Sequence, residues 1–151
     1  MGRALSRKLG WSLIDLDAEI ERSENLSIPE IFKKFGEPHF RQIEYRYLQQ
    51  AAARPRSVIA LGGGAYVNPQ NRAIADATGL TIWLKAEFSN IIQRVKSDGS
   101  RPLFEDNSRA ERLFEERQSA YALAQLHVST DDQSPDAVAA EIMKGMKRYK
   151  T

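Results

Sequence analysis

The sequence predicts an α/β domain with a mostly parallel sheet, and three observations lead there. Four short apolar runs, at residues 11–14, 58–61, 80–84 and 126–128, are rich in β-branched or large apolar residues, as strands buried on both faces tend to be. Between them lie helix-length segments with their own start and stop signals. Strand and helix therefore alternate, which selects parallel pairing through crossover helices. A chain of 151 residues can bury enough surface to hold a core without staples. No linker, repeat or low-complexity tract divides it, so residues 1–151 are expected to form a single domain.

Each element has a local justification. Residues 2–9 look like the last turns of an amphipathic helix with no strand in front of it. After the first apolar run, Ser27-Ile28-Pro29-Glu30 is a capping box that opens a helix. Gly36 ends that helix, and Glu37-Pro38 reopens one that runs toward Arg54-Pro55. Asn68-Pro69 and Ser134-Pro135 each place a capping residue before a proline at the first helical position.

Composition removes several function classes. The absence of Cys excludes disulfides, Cys-ligated zinc and thiol catalysis. A net charge of +2, from 22 basic and 20 acidic residues, is interspersed along the chain, so no nucleic-acid partner is expected. The apolar stretches fall far short of the ~20 residues that span a bilayer, and Arg3, Arg7 and Lys8 precede no apolar signal segment. The expectation is a cytoplasmic protein with no membrane partner.

Three sets of residues could carry chemistry. In Ile14-Asp15-Leu16-Asp17, two carboxylates leave the C-terminal end of a predicted strand, where open α/β sheets place ligands. One could hold Mg²⁺ through water and the other could accept or remove a hydroxyl proton. The alternative is a plain strand-end turn with Asp17 capping a helix over residues 18–23. Leu61-Gly62-Gly63-Gly64-Ala65 also follows a strand, and its glycines could expose backbone N–H groups to a ligand or simply make a tight turn. No Lys-Ser or Lys-Thr follows, so this loop is not a Walker A loop. The third set is arginine. Arg101 lies in a Gly- and Pro-punctuated loop, the composition of a mobile lid that carries a cation to a phosphate. Arg41 and Arg117 would clamp a substrate carboxylate if the fold joins them, and are otherwise surface residues. His39 and His127 have no ligand-spaced partner, and Phe32, Phe35 and Phe40 are expected on a core face first and as a substrate wall second.

Taken in order, Asp15-Leu16-Asp17, Ser27-Ile28-Pro29-Glu30-Ile31-Phe32, Gly36-Glu37 through Phe40-Arg41-Gln42-Ile43-Glu44, Gly62-Gly63-Gly64-Ala65, Arg101-Pro102-Leu103 and Glu116-Arg117 with Tyr121 resemble shikimate kinase across essentially the whole chain. That family belongs to the nucleoside-monophosphate-kinase-like P-loop proteins and transfers the γ-phosphoryl of ATP to the 3-hydroxyl of shikimate. The resemblance implies that Asp17 holds and deprotonates the attacking hydroxyl and that Asp15 supports Mg²⁺ through water. It implies that Arg41 and Arg117 bind the shikimate carboxylate, that Gly63 and Gly64 contact the ring hydroxyls, and that Arg101, in a lid at about 98–108, stabilises the transferring phosphate. Gln133 matches a position that borders the adenine. Shikimate kinases are commonly monomers, so a monomer is expected.

The family's fold is a three-layer α/β/α sandwich with sheet order 2-3-1-4-5, and its first strand leads into G-x-x-G-x-G-K followed by Ser or Thr. Here that pattern does not occur, and Gly2-Arg3 matches the pair that follows it. The resemblance thus implies a P-loop kinase fold lacking its first, central strand, with little ATP affinity in the chain as it stands. Two readings follow. One is a shikimate kinase whose functional form carries an N-terminal extension. The other is a non-catalytic shikimate-binding or regulatory protein. A gluconate kinase is a weaker match, because Arg41, Arg117 and Asp17 suit a carboxylate-bearing polyol.

Overall fold

The computed structural model describes residues 1–98 and 107–149. Helices and parallel strands alternate along it, and it divides into two units, Met1–Leu80 and Thr81–Thr151.

In the first unit, α1 (Gly2–Leu9) ends at Gly10, whose left-handed backbone (φ 66°) lets its N–H close the helix on Arg7. Strands β1 (Ser12–Asp15) and β2 (Ser57–Ala60) pair in parallel, from Ser12 opposite Ser57 to Asp15 opposite Ala60. Gly2 sits against β1 so closely that a Cβ on it would lie 2.8 Å from Leu13 Cδ1. Helix α2 (Leu16–Glu24) follows β1 directly, α3 (Ile28–Ala52) packs on it, and α4 (Pro69–Thr78) packs on α3. The core gathers Leu16, Ile20, Ile31, Phe40, Ile43, Leu48 and Ala65. Burying each large aliphatic side chain among them contributes ~1.5–3 kcal/mol.

The capping signals act as the sequence indicates. Ser27 Oγ accepts from Glu30 N while Glu30 Oε2 accepts from Ser27 N at 2.7 Å. Asn68 caps α4 through Gln70 N, and Ser134 caps the helix that starts at Pro135 through Ala137 N. Gly36, at φ 81°, breaks α3 two residues before Pro38. One expectation is met only in part. Phe32 and Phe40 meet at 4.7 Å between ring centroids and Phe40 is buried, but Phe35 is 46% exposed and stacks on His39. Phe35 is the last residue before the break and Phe40 lies beyond it, so one helical period does not relate all three.

In the second unit, β3 (Ile82–Lys85) pairs in parallel with β4 (Leu126–Ser129), from Ile82 opposite Leu126 to Lys85 opposite Ser129. Helix α5 (Phe88–Asp98) follows β3, α6 (Asn107–Tyr121) leads to β4, and α7 (Pro135–Tyr149) buries Val138, Ala139 and Ile142 and packs on β4. Strand β3 starts later than the apolar run at 80–84. Thr81 O still accepts from Leu126 N at 3.0 Å, but its N–H donates to Gln125 Oε1 at 3.0 Å and its Oγ1 accepts from Gln125 N, so side-chain bonds supplement the backbone bond there. Among the described residues no helix is long and apolar enough to cross a membrane. Most of the expected lid at 98–108, Arg101 included, lies outside the described residues.

Candidate functional site

At the C-terminal end of β1, it is Asp15 that caps α2, its Oδ1 accepting from Ala18 N at 3.2 Å. The sequence alternative in which Asp17 caps a helix over residues 18–23 is therefore overturned, because the helix starts two residues earlier, at Leu16. Asp17 stands in the first turn of α2, and its carboxylate lies against the glycine loop after β2. A Cβ on Gly62 would come within 2.8 Å of Asp17 Oδ2. Two residues on, a Cβ on Gly64 would come within 2.8 Å of Arg41 Nη2 and 3.0 Å of Nη1. Neither glycine has positive φ, since Gly10 and Gly36 are the glycines in that region among the described residues. Gly62 and Gly64 are needed for space, because a carboxylate and a guanidinium occupy the positions their side chains would take.

Arg41 projects from α3 with its side chain 28% exposed. Its Nη1 donates to both oxygens of Glu44, at 2.9 and 3.0 Å, and its Nη2 donates to Glu37 Oε1 at 3.2 Å. Glu44 is 2% exposed, and its Oε1 also accepts from Asn71 Nδ2 of α4 at 3.0 Å. The same Nδ2 donates to the carbonyl of Ala65, at the end of the glycine loop, at 3.1 Å. Burial pushes the Glu44 carboxyl above its ordinary value; the hydrogen bonds and charge of Arg41 and the Asn71 amide pull the other way without cancelling it, and the Asp17 charge adds to the rise. For Arg41, desolvation acts downward, but bonding and charge from Glu44 and Glu37 outweigh it, so the guanidinium is held charged more firmly than usual.

Thus Asp17, Arg41 and the glycine loop, three features found from the sequence, converge within the first unit. A hydroxyl-accepting carboxylate and a fixed cation on one loop suit a ligand bearing both hydroxyl groups and an anionic group. Among the described residues no three His, Cys, Asp or Glu side chains cluster to hold a metal directly. An Mg²⁺ reached through water needs only one or two carboxylates, and Asp15, exposed and engaged as a cap through one oxygen, fits that mode.

The other expected site residues belong to the second unit. Arg117 contacts the Tyr121 hydroxyl one turn along α6; burial raises the Tyr121 pKa, and Arg117 opposes that rise without reversing it. The Tyr121 ring packs on Trp83 at 6.0 Å. Gln133, exposed beyond β4, donates to Ser129 O at 3.2 Å and to Glu141. Glu44 and Asn71 were not assigned roles from the sequence. For Glu44 a signal exists, since an acidic residue three positions after Arg41 on a helix is a ready ion-pair partner. Asn71 carries no comparable local signal.

Comparison with known proteins places the chain in a family. A family model described as shikimate kinase matches residues 1–147. A shikimate kinase of Geobacter metallireducens is 37% identical over 145 residues, spanning 94% of this chain and 81% of that protein. One from Persephonella marina is 34% identical, spanning 95% of this chain and 88% of its own. Among solved structures, shikimate kinase from Acinetobacter baumannii in complex with shikimate superposes with a TM-score of 0.90 at 31% identity, covering 99% of this chain and 86% of that one. The Aquifex aeolicus shikimate kinase gives a TM-score of 0.82 at 32% identity, with 99% and 88% coverage. With the match running along nearly the whole length, the chain belongs to the shikimate kinase family, ATP-dependent kinases of small molecules.

Proposed function

We propose that the first unit of this chain binds shikimate on the glycine loop and that the protein transfers the γ-phosphoryl of ATP to the 3-hydroxyl, in aromatic amino acid (chorismate) biosynthesis. The observation that carries this reading is the placement of the Asp17 carboxylate and the Arg41 guanidinium against Gly62 and Gly64. Asp17 accepts the hydroxyl proton and aims its oxygen for attack, a positioned base being worth ~10²–10⁴-fold. Arg41, locked by Glu44 and Glu37, takes the shikimate carboxylate, and the loop at Gly63 and Gly64 meets the ring hydroxyls. On the family resemblance alone, Arg117 is proposed as the second carboxylate-binding cation, Arg101 as the lid arginine on the phosphate, and Gln133 as a neighbour of the adenine. When bound, Mg²⁺ offsets the phosphate charge, and Asp15 is the residue proposed to reach it through water. We further propose a cytoplasmic monomer in which residues 1–151 act as one domain with a lid near 98–108.

Isothermal titration of the 151-residue chain with shikimate, beside Arg41→Ala, tests the binding half. Heat at millimolar ligand or below, lost in the variant, is expected; no heat from the parent chain rejects the site. Shikimate-dependent ATP turnover by the protein tests the chemistry. Binding without turnover would leave the non-catalytic shikimate-binding reading standing.

A further inference from the structure

Behind the side chains proposed to meet the ligand lies a layer that no substrate atom would touch. Asn71 is fully buried on α4. Its Nδ2 faces two acceptors, Glu44 Oε1 at 3.0 Å and Ala65 O at 3.1 Å. The amide orientation follows, because the reverse would aim the oxygen at a carboxylate and a carbonyl. Its Oδ1 has no hydrogen-bond partner among the described residues. A buried orphan oxygen is unfavourable, and an apolar side chain would avoid it. What the amide contributes here is therefore Nδ2, which joins a buried carboxylate on α3 to the loop that carries Gly62 and Gly64.

We propose that Asn71 is a positioning residue for substrate binding: by donating to Glu44 it fixes the carboxylate that holds Arg41 over Gly64, and through Ala65 it ties the same carboxylate to the glycine loop. This rests on the reading of Arg41 as the carboxylate-binding cation. The charged groups facing Glu44 are Arg41 on its own helix and Asp17 on α2; β2 brings none, and Asn71 is the polar contact from α4.

The test follows Glu44 in the free chain and shikimate affinity together. Side-chain carboxyl NMR gives the Glu44 titration midpoint for the parent chain and for Asn71→Ala, with Asn71→Leu as the volume-keeping variant if the first does not fold. Loss of one charge-assisted donor is expected to move that midpoint up by about one pH unit or more. Shikimate binding should weaken roughly tenfold, most at acid pH, as the fraction of ionised Glu44 falls. A midpoint that stays put in a folded variant, or an affinity loss equal at all pH values, overturns the inference. If the parent chain takes up no shikimate, the proposed function fails, and the Glu44 midpoint alone still decides whether Asn71 acts on that carboxylate.

Discussion

Replacing Gly64 by alanine puts a methyl group where the Arg41 guanidinium now lies, at 2.8 Å from Nη2, 3.0 Å from Nη1 and 3.3 Å from Cζ. The backbone at Gly64 suits any residue, so the change alone should stabilise by ~0.4–1 kcal/mol through the unfolded chain. Against that, ordinary contact at ~3.5 Å or more requires the guanidinium to retreat by about 0.5–0.7 Å. The end of an arginine usually swings aside easily, but this one is tied at 2.9 and 3.0 Å to Glu44 and at 3.2 Å to Glu37. Water does not readily replace it beside Glu44, which is 2% exposed, so a stretched or broken pair leaves a buried carboxylate short of donors at ~1–3 kcal/mol. The second effect exceeds the first, and a net loss of about 1–2 kcal/mol follows. Shikimate affinity should fall at least tenfold, because the displaced cation no longer meets its carboxylate. Urea denaturation and calorimetric titration read the two effects separately. A Gly64→Ala chain as stable as the parent, with unchanged shikimate affinity, would refute the account, since Arg41 would then be free to leave the loop.

The remaining predictions test other parts of the structure. Glu44, with its folded pKa above the ordinary 4.5, binds its proton more tightly folded than unfolded, so its contribution to stability falls as pH rises from about 4.5 through the folded value; the stability of the parent relative to Glu44→Gln should decline across that window in urea melts, and a rise would contradict the burial argument. Ser27→Ala removes the hydroxyl that caps α3 and should cost ~1 kcal/mol in the same melts, with a loss below about 0.3 kcal/mol counting against the capping box. Tyr121→Phe keeps the ring on Trp83 but removes the hydroxyl that touches Arg117; shikimate titration should show an affinity about threefold to tenfold weaker with little change in melting temperature, and equal affinity would separate Tyr121 from the proposed role of Arg117.

How much was legible in the sequence depends on how far apart the interacting residues stand. Signals within one turn were read directly: Ser27 with Glu30, Asn68 before Pro69, Ser134 before Pro135, and the break at Gly36 all take the forms their local chemistry dictates. One register question could not be settled that way. Asp15 and Asp17 are both plausible caps, and the choice turns on where β1 ends, which its pairing with β2 sets more than forty positions along the chain. With Asp15 serving as the cap, Asp17 comes to lie against Gly62, and an ambiguous D-x-D becomes a carboxylate on a glycine loop. The three glycines were similarly ambiguous until the positions of Asp17 and Arg41 showed that Gly62 and Gly64 supply room and not positive φ. The least legible part is the layer beneath. Asn71 meets Glu44 across 27 positions and two helices, and nothing about an Asn in an amphipathic helix announces that contact. Sequence pattern therefore exposes the residues that would face a ligand sooner than the ones that hold them still, because loops and caps are local while a buried polar brace exists only once the helices have packed.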